Sequence, residues 1–319
     1  MKFKIVTLGC KVNTYESEMM KEKLLANNYV ETLDNDADIV IINTCSVTNM
    51  ADAKSRKLIR YHKKENKNAI IAVCGCSAQN KKEELLDLDV DILIGNNGKS
   101  KIVDLIEDYK KTNKKYVNFI TSRKLEFEDM EVDKFTNQTR AYIKIQDGCN
   151  NFCAYCIIPF MRGNIRSKDM DKVIEEAKVL VKSGHKEIVL TGIDTGSYGK
   201  DKNYDLTDLL NELVKIDGLE RIRLSSIDTF DLDDKFIECL KNNNKICNHL
   251  HISLQSGSNK ILKLMNRKYT KEEYLNTINK IRSVRPDISI TTDVIVGFPQ
   301  ESDEDFKEVL SYVKEVNFS

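Results

Sequence analysis

The sequence predicts an α/β protein in two domains: a parallel-sheet domain at the N-terminus, then a partial, open βα barrel truncated at its C-terminus. Three observations lead there. Apolar strand-like runs alternate with helical patterns along most of the chain, as expected of parallel strands joined by crossover helices. The length, 319 residues, exceeds the usual size of a single hydrophobic core and favours two domains. Between Lys111 and Gln138 the periodicity fades into a polar stretch broken by Phe119, Phe127 and Phe135, which reads as a linker. The expected boundaries are therefore residues 1–112, a linker over 113–136, and residues 137–319.

In the first domain the strand-like runs are Lys4–Leu8, Ile39–Asn43, Ile70–Val73 and Asp91–Ile94, with helical patterns at Tyr15–Leu25 and Asp52–Tyr61. The strand ends carry Gly9-Cys10, Thr44-Cys45 and Cys74-Gly75-Cys76. In open α/β sheets ligands gather beyond the carboxyl ends of strands, so cysteines far apart in sequence can meet there. The second domain offers strands near Ala141–Gln146, Glu187–Leu190, Arg221–Ser225, Leu250–Leu254 and Ser289–Val296, separated by helices such as Lys172–Lys182 and Glu272–Ser283. Thr270 with Glu273, and Ser302 with Asp305, have capping-box spacing and mark two helix starts. The chain stops at Asn317-Phe318-Ser319, where a βα barrel is expected to supply another strand.

The composition is that of a soluble globular protein, 41% hydrophobic and 31% charged, and no apolar run approaches the ~20 residues needed to cross a bilayer. MKFKIVTLGC at the N-terminus has no small-residue cleavage site and reads as an opening strand, so a cytoplasmic location without membrane attachment is expected. Lys+Arg and Asp+Glu balance at 50 each, so no global field announces a polyanionic partner and any nucleic-acid surface must be local. Nine cysteines in such a chain point to reduced thiolates acting as metal ligands or catalysts.

Cys149-Asn-Asn-Phe-Cys153-Ala-Tyr-Cys156 spaces three thiols on a loop directly after the first barrel strand. Three thiolates hold three irons of a [4Fe-4S] cluster and leave the fourth without a protein ligand, whereas electron-transfer clusters normally take four cysteines. An open iron can chelate the amino and carboxylate groups of S-adenosyl-L-methionine and deliver the electron that splits it into methionine and a 5′-deoxyadenosyl radical. A zinc knuckle is the alternative, but it needs a fourth ligand and His185 is the nearest histidine downstream. Cys239 and Cys247 lack ligand-like partner spacing and read as structural. Strand alternation turns His249 and His251 to one face, either as barrel interior or towards a cofactor.

The motif and its place in a βα barrel resemble the radical S-adenosylmethionine (radical SAM) superfamily. Downstream, Leu190-Thr-Gly192, His251-Ile-Ser-Leu-Gln255-Ser-Gly257 and Asp293-Val-Ile-Val-Gly297-Phe-Pro299 resemble that superfamily's cofactor cradle. The resemblance implies a barrel of the radical SAM type, with Tyr155, Gly192, Gln255, Asp293 and Gly297 around S-adenosylmethionine. In the N-terminal half, Leu8-Gly-Cys10-Lys-Val-Asn13, Ile42-Asn-Thr-Cys45-Ser-Val-Thr48 and Gly75-Cys76-Ser-Ala-Gln79 resemble the three cysteine signatures of the methylthiotransferase family. That implies a second [4Fe-4S] cluster on Cys10, Cys45 and Cys76, again with one open iron, carrying the sulfur to be inserted. Cys74 lies outside the family pattern and reads as a small buried hydrophobe, with replacement of Cys76 as ligand the alternative.

The resemblance covers nearly the whole chain, including Ile158-Pro-Phe-Met-Arg162-Gly163 and Leu264-Met-Asn-Arg267-Lys-Tyr269-Thr270, but not the C-terminal RNA-gripping TRAM domain usual in the family. Gly9-Cys10-Lys-Val-Asn13-Thr-Tyr-Glu16 and Asn43-Thr-Cys-Ser-Val-Thr-Asn49 look most like the branch acting on N6-threonylcarbamoyladenosine beside the tRNA anticodon. The implied reaction places a methylthio group on adenine C2. Related branches act on N6-isopentenyladenosine in tRNA or on an aspartate of a ribosomal protein, and an iron–sulfur RNA-binding or redox-sensing protein is the reading of a different class. The expected partners are tRNA, an electron donor and a sulfur donor, and the expected state is a monomer. Arg162, Arg166, Arg221, Arg223 and Arg267 are candidates for tRNA phosphate contacts, with ion-paired surface as the alternative.

Overall fold

The computed structural model describes residues 1–136 and 138–319. The chain divides into two compact units, Met1–Phe135 with Ile157–Asn164, and Thr136–Cys156 with Ile165–Ser319. The expected start of the barrel domain falls on Asn137, which lies outside the described residues. Among the described residues no helix is long and apolar enough to cross a membrane.

The first unit runs β1 (Lys2–Thr7), α1 (Lys11–Ala26), β2 (Val30–Glu31), β3 (Ile39–Thr44), α2 (Asn49–Glu65), β4 (Ile70–Gly75), α3 (Cys76–Asn80), α4 (Lys82–Leu86), β5 (Ile92–Ile94), α5 (Ile102–Thr112) and β6 (Tyr116–Asn118). All pairings are parallel, in the order β2-β1-β3-β4-β5-β6. The central strands β3 and β4 are buried at every residue, because both faces of a parallel sheet are covered by its crossover helices. Val40, Ile42, Ile71, Val73 and Leu93 share one face, where Ile59 of α2 and Leu85 of α4 close the core. Residues 116–118, read from sequence as linker, form the edge strand β6. An edge strand needs only main-chain bonds on one side, and three residues among lysines carry no apolar alternation to betray it.

The second unit holds β7 (Ala141–Lys144), β8 (Gln146–Asp147), β9 (Arg166–Ser167), α7 (Met170–Lys182), β10 (Glu187–Thr191), α8 (Leu206–Leu213), β11 (Arg221–Leu224), α9 (Asp234–Asn242), β12 (His249–His251), α10 (Asn259–Leu264), α11 (Lys271–Val284), β13 (Ser289–Thr291) and α12 (Asp303–Val316). The intervening short helix α6 (Ile158–Arg162), here the cross-helix, belongs to the first unit. Parallel ladders run β11-β10-β7 and β12-β13, and the bridges Ile222↔Ile246 and Ile227↔Ile252 join the β11 side to the β12 side. Among the described residues no pairing links β13 to β7, an order compatible with a partial, open barrel. The run expected at Leu250–Leu254 forms a ladder only at His249–His251; beyond it the chain makes isolated bridges, including Gln255↔Val294. The capping boxes at Thr270/Glu273 and Ser302/Asp305 form, and a third appears at Asp205/Asp208.

Gly75 shows how tightly the strand ends of the first unit are packed. Its φ is +98°, and an added Cβ would lie 2.5 Å from the Thr44 carbonyl oxygen of the neighbouring strand. Gly75→Ala should therefore destabilise the protein by about 2 kcal/mol or more, through strain and backbone displacement together. A denaturant midpoint equal to the parent's would contradict that packing.

Candidate active site: two cysteine trios at strand ends

In the second unit the chain leaves β8 through Gly148, at φ +73°, into the cysteine loop. Cys149, Cys153, Tyr155 and Cys156 line a cavity of about 150 Å³ together with Ile193, Asp194, Ser226, Asp228, Ser253 and Arg267. Those partners follow the carboxyl ends of β10, β11 and β12, and Arg267 lies beyond α10. In βα barrels active sites are built at this end of the strands. Asp194 Oδ2 accepts from Cys149 Sγ at 3.7 Å and from Asn151 Nδ2 at 3.0 Å. Burial, then the Asp194 carboxylate, pushes the Cys149 thiol up to about 12 in the metal-free chain. A bound cation inverts such local pKa logic, because a coordinating thiol is deprotonated outright.

The segment that follows α10 holds the loop in place. Ala154 N–H donates to Met265 O at 3.0 Å, Asn266 Nδ2 to Phe152 O at 3.0 Å, and Lys268 Nζ to Asn151 Oδ1 at 3.1 Å. The Arg267 guanidinium donates to Cys153 Sγ at 3.3 Å, pairs with Asp228 and lies 4.9 Å from the centre of the Tyr269 ring. Phe152, inside the loop, has φ +50°, a strained conformation for a residue with a bulky side chain. Gln146, fully buried, is a further clamp: Oε1 accepts from Ile193 N–H at 3.0 Å and Asp194 N–H at 2.8 Å, while Nε2 donates to Gly148 O at 2.7 Å.

The expected cofactor contacts are distributed unevenly around this cavity. Tyr155 lines it, its ring edge-on to Phe298 with centroids 6.5 Å apart. Gly192 sits where a Cβ would lie 2.9 Å from Gln146 Oε1, so its smallness serves the clamp. Gln255, Asp293 and Gly297 are not among the described lining residues; Gln255 N–H donates to Asp293 O at 2.9 Å beside the Gln255↔Val294 bridge, and Gly297 N–H donates to Glu301. His249 Nε2 and His251 Nδ1 both bond Thr291 Oγ1, at 3.1 and 3.0 Å, which places them on one side of β12 against β13.

In the first unit Cys10 follows β1, Cys45 follows β3, and Cys76 opens α3 after β4. Gly9, at φ +101°, carries the chain so close to Cys45 that an added Cβ would lie 3.0 Å from its Sγ. Cys45 is pushed up by burial, with the Cys76 and Cys10 thiols acting in the same direction against a backbone bond from Val47. Cys74 is fully buried among Lys99, Glu16 and Glu128, and burial raises its thiol to about 12. Its neighbour Cys76 faces Asn96 Oδ1 at 3.5 Å.

The arginines proposed for phosphate contact are largely committed elsewhere. Arg162 is fully buried against Glu16, Arg166 is buried against Asp147, and Arg267 is 6% exposed against Asp228. These are corrections: none of the three is a surface phosphate ligand. Arg221 and Arg223 share Glu187, the former half exposed.

Among the described residues no three His, Cys, Asp or Glu side chains converge to hold a single metal ion. Each trio instead offers three thiols around a strand-end rim, which fits the donor set of a cluster held by three cysteines.

Comparisons with known proteins show the family. The radical SAM superfamily model matches residues 143–313, and the model described as uncharacterized protein family UPF0004 matches residues 2–95. The threonylcarbamoyladenosine tRNA methylthiotransferase MtaB of Bacillus subtilis is 44% identical over 319 residues, 98% of this chain and 70% of that protein. This chain belongs to the tRNA methylthiotransferases of the radical SAM superfamily. Among other methylthiotransferases, the MtaB enzyme of Thermotoga maritima is 44% identical over 99% of this chain and 72% of its own length. The tRNA-2-methylthio-N(6)-dimethylallyladenosine synthase of Clostridium tetani is 40% identical over 99% of this chain and 72% of its own length. Among solved structures, the radical SAM methyltransferase TsrM of Kitasatospora setae superposes with TM-score 0.71 at 13% identity, over 99% of this chain and 71% of that one. The cobalamin-dependent radical enzyme OxsB gives 0.65 at 14% identity, over 98% and 51%. At such identities the likeness is one of fold.

One buried carboxylate beside the barrel site of this methylthiotransferase has a measurable signature. Burial, then the nearby Asp194 carboxylate, raises Asp231 from 3.8 to about 7, against the opposing Lys200 and with Asp228 adding to the rise. A raised folded value means the folded chain binds this proton more tightly than the unfolded one. The contribution to stability is therefore complete at low pH and is lost as pH rises from about 4 towards about 7. In cluster-free protein Asp231→Asn should become progressively more stable relative to the parent across that window, measured by denaturant melts. A pH-independent difference would contradict the assignment.

Proposed function

We propose that this chain inserts a methylthio group at C2 of N6-threonylcarbamoyladenosine in tRNA, beside the anticodon. The observation that carries the reading is the 44% identity, across nearly the whole chain, to enzymes named for that substrate, in a protein whose cysteine trios both stand at strand ends. We assign Cys149, Cys153 and Cys156 to one [4Fe-4S] cluster and Cys10, Cys45 and Cys76 to another. Bound there, the clusters supply the electron that splits S-adenosylmethionine and the carrier for the sulfur.

The chain's own residues do the positioning. Gln146 and Asp194 tie the cysteine loop to the loop after β10, so the thiols are presented by two clamped turns. Arg267 places a buried cation 3.3 Å from Cys153 Sγ and donates a charge-assisted hydrogen bond to it. Tyr155, with its polar tip and an apolar ring face, is the residue we assign to packing around the cofactor's adenine, and Gln255, Asp293 and Gly297 supply the rim. Turnover consumes reducing equivalents and sulfur, so an electron donor and a sulfur donor are partners alongside tRNA. A cytoplasmic monomer, with the sulfur-carrying site in residues 1–112 and the radical site in residues 137–319, is the organisation we assign.

The dimethylallyladenosine enzymes, at 40% identity, define the second reading. The adenine is common to both substrates, so selection must come from the group on N6. A threonylcarbamoyl group brings a carboxylate and hydrogen-bonding atoms, whereas an isopentenyl group is wholly apolar. A site built to bond the former rejects the latter strongly, because its donors would be left unpaired. Expressed in cells lacking both tRNA methylthiotransferases, the protein should yield 2-methylthio-threonylcarbamoyladenosine and no methylthio-isopentenyladenosine by nucleoside mass spectrometry. The reverse product would transfer it to the neighbouring branch.

A further inference from the structure

Arg162 is the largest of the fully buried side chains, in a protein whose arginines were expected at the surface. The chain reaches it directly from Cys156 through Ile157 and the cross-helix, which packs in the first unit. Its Nη1 donates to Glu16 Oε1 at 3.2 Å, and the other Glu16 oxygen is paired with Lys99, also fully buried. Removing several charges from water costs several kcal/mol per ion, and a buried ion pair is weak support for stability alone. What this group specifies is better read from the second guanidinium nitrogen.

Nη2 donates to Asn13 Oδ1 at 3.2 Å. Asn13 Nδ2 in turn donates to Leu8 O at 2.7 Å and to Thr44 O at 2.9 Å. Leu8 leads through Gly9 into Cys10, and Thr44 is the residue before Cys45. One amide therefore ties together the two turns that carry these thiols. An amide has one donor end and one acceptor end, and a flipped Asn13 would set its oxygen against two carbonyl oxygens. The guanidinium, donor only, holds the oxygen on its own side and leaves the nitrogen facing both carbonyls. The third thiol is reached from the adjacent residue: Asn96 Nδ2 donates to Met161 O at 3.1 Å while Asn96 Oδ1 faces Cys76 Sγ at 3.5 Å.

We propose that Arg162 is a positioning residue for the N-terminal trio, setting Cys10 and Cys45 through Asn13, with its own helix setting Cys76 through Asn96. The proposal rests on the reading that this trio holds a cluster, and the experiment separates the two. All variants are made in a Cys153→Ala background, which disables the barrel trio so that a single cluster reports. Arg162→Lys keeps a cation beside Glu16 but cannot serve Glu16 and Asn13 together; Asn13→Asp keeps the size but removes the donor to both carbonyls. After anaerobic reconstitution both should fall from about four irons per chain to about one or fewer, with the electron paramagnetic resonance signal of the reduced cluster lost or broadened. Melting temperatures of the cluster-free proteins should stay within a few degrees of the background.

Full iron with an unchanged signal in both variants overturns the proposal. So does unfolding of both cluster-free proteins, since the role would then be general stability. Cys45→Ala tests the underlying reading by itself: if it retains its iron, the trio is not the ligand set, whatever Arg162 does.

Discussion

Because β1, β3 and β4 pair in parallel, with Phe3 opposite Ile39 and Ile39 opposite Ile70, their carboxyl ends lie along one edge of the sheet. Cys10, Cys45 and Cys76, scattered over the first part of the sequence, are brought to that edge by strand pairing alone. The same rule acts in the second unit, where the turns after β8, β10, β11 and β12 contribute to the lining of one cavity. Strand direction places the cysteines of both trios, while side chains on or after helices, such as Asn13, Arg162 and Arg267, reach them from the flanking elements. Parallel sheets demand long crossovers, which explains why these cysteines are so far apart in sequence.

Around that frame the polar interior does a second job. Gln146 clamps one cysteine loop and Asn13 ties two cysteine turns, each a buried amide whose donors and acceptor are all engaged. Polar networks in a low dielectric are costly when incomplete, so completed ones define a single geometry. Glycines at the same places, Gly9, Gly75 and Gly192, keep the turns within contact distance. Rigidity at the strand ends thus draws on both hydrogen bonds and missing side chains.

Much of this was legible in the sequence. Period and strand-end cysteines gave the α/β architecture, and the Thr270 and Ser302 capping boxes marked their helices. The Asp205 box escapes the sequence pattern because its N-cap is Asp rather than Ser or Thr. Strand β6 was read as linker since a short edge strand carries no alternation. Gln146 and Asp194 escaped because no spacing marks a buried glutamine or the partner of a loop cysteine. From sequence, Arg162, Arg166 and Arg267 fit a phosphate contact or an ion-paired surface equally, and their burial is not visible because charge does not announce its partner: Glu16 and Asp228 are distant in sequence, and only the β8–β9 pairing brings Asp147 to Arg166. Cys74 and Cys76, two residues apart, have different neighbours because β4 ends at Gly75 and the next residue starts a helix.

The proposed mechanism gives the two cysteine trios different halves of one reaction. Its most direct test compares Cys153→Ala with Cys45→Ala in reconstituted, reduced protein supplied with S-adenosylmethionine and substrate tRNA, measuring 5′-deoxyadenosine and methylthio-nucleoside side by side. Cys153→Ala should form neither product, whereas Cys45→Ala should still form 5′-deoxyadenosine but no methylthio-nucleoside. Parallel loss of both products in the two variants, or sulfur insertion by Cys45→Ala, would contradict it.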